Sequence, residues 1–231
     1  MKQLRAIMNS KLWGRGASAI NPGLVVATVV VFIVLSFASP YFLSVYNLMN
    51  VAKALVIVGI AAAGETLVII AGGFDLSIGS TMAAAGMLAA YLLEIGSGVG
   101  PAFSAAILLG ICIGAANGTL IAYFRINPLI ATLAMMAIIR GLAFVISNGH
   151  EIVITNKAWL SLGTGKWVGI PYIVLILIVI YLVFALIMPH TKFGRYVYAI
   201  GSNPRAARLS GVSTKKWQLA IYITCGATAA L

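Results

Sequence analysis

Three ionisable residues stand inside long apolar runs of this sequence, Glu65, Asp75 and Arg140, and the amide Asn117 stands in another. A charge at membrane depth is costly, so such groups are paired, face water or serve a solute or proton path. Asp75 belongs to Gly72-Gly73-Phe74-Asp75-Leu76-Ser77-Ile78-Gly79, a glycine-bracketed acid where an apolar helix would otherwise continue. Two readings stand side by side. The glycines permit a sharp turn and Asp75 and Ser77 cap the next helix, or the helix is discontinuous and its free amides and Asp75 face a translocation route. Glu65 and Arg140 lie about 16 Å and about 10 Å from the same ends of their spans at ~1.5 Å per residue. Side chains bridge that gap, which predicts an ion pair inside the bundle that serves either stability or transport.

Other chemistry is not legible. Cys112 and Cys225 sit in apolar runs, where sulfur packs as a small hydrophobe, and neither a disulfide framework nor a metal site can be read. His150 and His190 form no catalytic constellation with serine or cysteine. A phosphate loop of the G-x-x-x-x-G-K-[ST] type is absent; Gly165-Lys166 comes nearest, with Leu160 and Trp167 at the outer positions. Any ATP is therefore expected to be hydrolysed on another chain.

The elements that position these residues must be membrane helices. The 231 residues are 62% hydrophobic and 8% charged, with a mean hydropathy of +1.08, too little polar surface to cover a water-soluble globule. At about 20 residues per crossing the apolar runs give an all-α polytopic bundle of six complete spans: Leu24 to Phe42, Ala54 to Ala71, Leu76 to Leu93, Ala102 to Phe124, Pro128 to Ile146 and Pro171 to Met188. The run from Leu219 to Leu231 is short of a crossing and reads as part of a seventh. The first run is too long for a signal-peptide core and precedes no small-residue cleavage site, so a retained span is expected.

The formal charge of +11 comes from cations in loops, which argues for membrane orientation and against nucleic acid. With an inside N-terminus, residues 1–23 with Lys2, Arg5, Lys11 and Arg15 lie inside, as do Arg125, Lys192, Arg195, Arg205, Arg208, Lys215 and Lys216. Only Lys53, Lys157 and Lys166 fall outside. The polar segment 147–170 becomes an external loop with Trp159 and Trp167 as interfacial anchors, and 190–217 an inner loop of a single membrane domain. Gly110, Gly114 and Gly118 mark one face of the fourth span for close helix packing, while Asn117 either hydrogen-bonds across the bundle or lines a cavity.

In the inner loop, Asn203 offers an N-cap, Pro204 a first-turn proline and Gly211 a stop, which predicts a short helix over 204–210. Ala206, Ala207 and Leu209 alternate with Arg205 and Arg208. The segment is either a basic loop that holds topology or a docking knob for a cytosolic partner.

Three blocks resemble the binding-protein-dependent ABC-importer permeases of the ribose and monosaccharide type. They are the stretch from Ala63 to Ala90 with GETLVIIAGGFDLSIGS, GAANGTLIAYFRINPLIATLAMMAIIRG over 114–141 and TKFGRYVYAIGSNPRAARLSGVS over 191–213. The resemblance implies a bacterial inner-membrane subunit with a cytoplasmic N-terminus and about ten spans in a full-length homologue. It also implies a paired second copy, sugar delivered by an external binding protein, and ATP and Mg held by a cytosolic ATPase. The family's coupling helix matches 203–211, which assigns Asn203, Pro204, Arg205, Ala207, Arg208, Leu209 and Gly211 to ATPase contact. Asp75, Ser77, Glu65, Asn117 and Arg140 are the expected pathway residues. The competing class is a proton-coupled secondary transporter using Glu65 or Asp75, against which stands the organised inner loop.

Overall fold

A computed structural model describes residues 22–231. Lys2, Arg5, Lys11 and Arg15 lie outside the described residues. The chain divides into two compact units, Met1–Val51 and Ala52–Leu231.

In the first unit, α1 (Pro22–Ala38) is apolar all round and buries none of its residues. A turn follows, with Phe32 and Phe42 edge to face at 5.2 Å and the Asn47 amide donating to the Phe42 carbonyl at 2.8 Å. The next helix, α2 (Val45–Ile70), starts nine residues before the expected second span, because Asn47, Asn50 and Lys53 interrupt the apolar run without interrupting the helix.

The second unit contains α3 (Ile78–Glu94), α4 (Val99–Ala122) and α5 (Pro128–Ile146). Asn127 starts α5 by accepting the Leu129 amide at 2.9 Å, with Pro128 supplying a preset first turn. Then come α6 (Lys157–Thr164) and a hairpin of β1 (Lys166–Trp167) with β2 (Ile170–Pro171), Lys166 opposite Pro171. The chain continues through α7 (Tyr172–His190), α8 (Lys192–Ser202), α9 (Pro204–Leu209) and α10 (Thr214–Ala229). Segment 147–170, expected as a plain loop, is thus partly ordered. Trp159 is half-buried against the alanine-rich cluster of Ala85, Ala89, Ala102 and Ala106, whereas Trp167 is 63% exposed.

All six expected spans are helical, and four of them, α2, α4, α5 and α7, are long and apolar enough to cross a membrane. With 17 residues each, α1 and α3 are shorter apolar helices. No residue of α7 is buried, so its all-round apolar surface is matched by lipid, as expected of a polytopic helical membrane protein.

The tightest seam joins α4 to α10. A Cβ placed on Gly114 would strike the Tyr222 carbonyl and come within 2.9 Å of Ile223 Cα; one on Gly118 would lie 3.0 Å from Leu219 Cα. Small residues let the two backbones touch, which replaces the hydrophobic drive that lipid cannot supply. Around this seam Leu67 and Val68 of α2, Ile121 of α4, Val197 of α8 and Tyr222 of α10 share one core cluster.

Candidate functional site

The break between α2 and α3 is built from its glycines outward. Gly72 adopts φ +81°, its N–H donates to the Ile69 carbonyl at 2.9 Å, and the Gly73 N–H donates to the Val68 carbonyl at 2.9 Å. These two bonds close α2 with a Schellman turn. Residues 73–75 then run non-helical before α3 begins.

Asp75 is 5% exposed and Ser77 and Asn117 are fully buried. The Asp75 carboxylate accepts the Ser77 N–H at 2.9 Å and the Ser77 hydroxyl at 2.6 Å. From α4, Asn117 Nδ2 reaches both carboxylate oxygens at 3.3 and 3.4 Å and donates to Ser77 Oγ at 2.8 Å. The Asp75 N–H itself donates to Glu65 Oε1, one turn and a half back along α2, at 3.1 Å. Four polar residues from three segments are thereby tied into one knot. Cys225 Sγ lies 4.0 Å from Glu65 Oε2, and the Tyr222 hydroxyl donates to the Phe74 carbonyl at 3.3 Å. A knot of this kind can hold a broken helix in one geometry, since the Asp75 and Ser77 N–H groups at the break both find carboxylate acceptors.

Two expectations need correction. Ser77 occupies the N-cap position of α3 but its side chain makes no cap bond; its hydroxyl is turned onto the Asp75 carboxylate, which also accepts the Ser77 N–H. The Glu65 to Arg140 ion pair does not form among the described residues, because Arg140 is exposed on α5 while Glu65 is occupied by the amide of Asp75. A backbone donor released by the nearby break satisfies the carboxylate at lower cost than a distant guanidinium. Asn117 bonds across the bundle, and its Oδ1, together with Ser80 Oγ, is a buried polar atom without a partner among the described residues.

In the second expected region, Asn203 accepts the amides of Arg205 and Ala206 at 3.0 Å each, Pro204 opens α9, and Gly211 lies beyond its end at φ +83°. Arg205, Ala206 and Arg208 are exposed, and Leu209 is 91% exposed. Ala207, expected on the outward face, is instead buried and anchors the helix.

The sequence reading missed α8, Tyr222 and the contact of Cys225. Thr191 before Gly194 gave a cap signal for α8, realised as a Gly194 N–H to Thr191 Oγ1 bond of 3.4 Å, and a tyrosine in an apolar run requires a hydroxyl partner. Among the described residues no group of three or more His, Cys, Asp or Glu could hold a metal.

Residues 47–231 match the family described as branched-chain amino acid transport system / permease component. The chain is similar to the ribose import permease protein RbsC of Escherichia coli strain K12, 38% identical over 210 residues, which is 89% of this chain and 65% of that protein. It is also similar to the RbsC of Bacillus subtilis strain 168, at 36% identity over 87% of this chain and 63% of the relative. The L-arabinose ABC transporter permease protein AraH of Azospirillum brasilense is 35% identical over 88% of this chain and 60% of its own length. The chain thus spans somewhat under two thirds of these relatives. No solved structure matches it.

Proposed function

From the premise that this chain belongs to the family of branched-chain amino acid transport system permease components, we propose that it is a membrane permease subunit of an ATP-binding-cassette importer that carries a monosaccharide. The family description is broad, and the relatives named for ribose and arabinose favour a pentose-like solute. A neutral sugar needs no fixed counter-charge, whereas a zwitterionic amino acid requires a carboxylate and a cation side by side; Glu65 and Asp75 have no cation beside them among the described residues. The observation that carries the reading is α9, capped by Asn203 and offering Arg205, Arg208 and a nearly bare Leu209. An apolar side chain rimmed by cations at a helix end fits a protein groove with acidic edges better than it fits water.

In this account α9 lies in the cytoplasm and docks a separate ATPase that holds ATP and Mg, an external binding protein delivers the sugar, and a second permease copy completes the route. The N-terminus is cytoplasmic. The knot of Glu65, Asp75, Ser77 and Asn117 sets the broken helix that borders the route. Arg140, exposed on a membrane helix, faces water in that route or the second copy.

Vesicle uptake of labelled ribose and arabinose tests the proposal. Accumulation is expected with trapped ATP plus binding protein and not with a proton gradient alone; gradient-driven uptake without nucleotide would establish the proton-coupled carrier instead.

A further inference from the structure

Two elements, α8 and α10, grip the break between α2 and α3, one on each flank. On the upstream flank, Gly201, two residues before the Asn203 cap, lies against the end of α2: a Cβ there would overlap the Ile70 carbonyl oxygen and come within 3.3 Å of Ala71 Cα. On the downstream flank, Tyr222 of α10 donates its hydroxyl to the Phe74 carbonyl, and a Cβ on Gly73 would lie 2.6 Å from the Tyr222 hydroxyl oxygen. Between the two contacts lie residues 71–73, and directly beyond them Asp75 enters the knot with Glu65, Ser77 and Asn117. The Gly201 contact is close and made backbone to backbone, with no flexible side chain between Gly201 and Ile70 to absorb a displacement, and the Tyr222 hydroxyl ends on a backbone carbonyl at 3.3 Å. Close-packed interiors transmit such shifts rather than damping them.

Resting on the reading of α9 as the ATPase contact, we infer that residues 70–75 are the transmission element between that contact and the membrane helices, and that Gly201 and Tyr222 are the positioning residues that drive it. A displacement of α9 moves α8 and α10 together. Gly201 then pushes the last carbonyl of α2 while Tyr222 holds the carbonyl of Phe74, so the break changes angle and Asp75 carries the change to α4 through Asn117. Neither Gly201 nor Tyr222 touches solute in this scheme.

The test uses the full permease reconstituted with its ATPase and binding protein, and compares Tyr222→Phe and Gly201→Ala with Gly141→Ala, a site where an added Cβ meets nothing within 4 Å. In both test variants the ATPase is expected to stay bound and to hydrolyse ATP, while solute moved per ATP falls. For Tyr222→Phe the fall is about three- to tenfold, the range that one lost hydrogen bond supplies; Gly141→Ala keeps the ratio. An unchanged ratio in Tyr222→Phe overturns the inference, and so does a loss of ATPase association that parallels the loss of transport, since that would assign both contacts to packing alone. Failure of the underlying reading registers separately, as an unsubstituted permease that retains no ATPase.

Discussion

At the scale of single residues, Asn117 is the donor that closes the knot. Replacing it with alanine leaves Ser77 Oγ and the Asp75 carboxylate short of a hydrogen bond in a buried site. The expected destabilisation is about 1–3 kcal/mol, read as a lower thermal unfolding midpoint in detergent; a neutral result would mean that the amide only lines space. The residues of this knot were legible as types, and Asp75 and Asn117 stood out because polar groups at membrane depth are few. Their connections were not. The sequence argument matched Glu65 to Arg140 by charge and depth, but depth along two helices says nothing of the faces they present. It also left out the backbone donor that the glycine turn sets free ten residues along the chain.

At the scale of elements, the α4 to α10 seam depends on Gly114 having no side chain. Gly114→Leu drives a branched side chain into the backbone of α10 and is expected to cost at least about 1–3 kcal/mol, with loss of the folded form in detergent size-exclusion profiles. Gly141→Leu, placed where an added Cβ meets open space, is expected to leave the profile unchanged. Equal behaviour of the two would show that the seam is not a close contact. The four-residue glycine spacing gave this packing face from sequence, although its partner, α10, was expected only as a fragment. The apolar run from Pro128 marked the start of α5 to the residue, and the structure adds the reason, an Asn127 cap with Pro128 in the first turn. By contrast, α2 ran past its apolar limits and α8 escaped notice, because helix continuity follows backbone hydrogen bonding while hydropathy reports only the surroundings.

At the scale of the whole molecule, seven described cations, Arg125, Lys192, Arg195, Arg205, Arg208, Lys215 and Lys216, belong to segments assigned to one side of the membrane, against Lys53, Lys157 and Lys166 on the other. On the proposed topology, positive-inside bias predicts a cytoplasmic α9. With Cys112 and Cys225 replaced by serine and alanine, Arg205→Cys is expected to react with an impermeant maleimide in inside-out vesicles and to stay unlabelled in intact cells. Labelling in intact cells would reverse the topology. Family membership, the exposed Leu209 and the cation rim all support the central proposal, that this subunit is moved by an ATPase docked on α9.

Co-purification of the ATPase with the Arg205→Glu, Arg208→Glu double variant tests that claim most directly. Charge reversal on the exposed rim leaves the buried Ala207 anchor and the Asn203 cap in place, so the permease is expected to fold and insert normally and to lose at least about tenfold in ATPase retention, in line with the cost of like-charge contacts at an interface. Retention equal to that of the unsubstituted protein, with the permease folded, would contradict it.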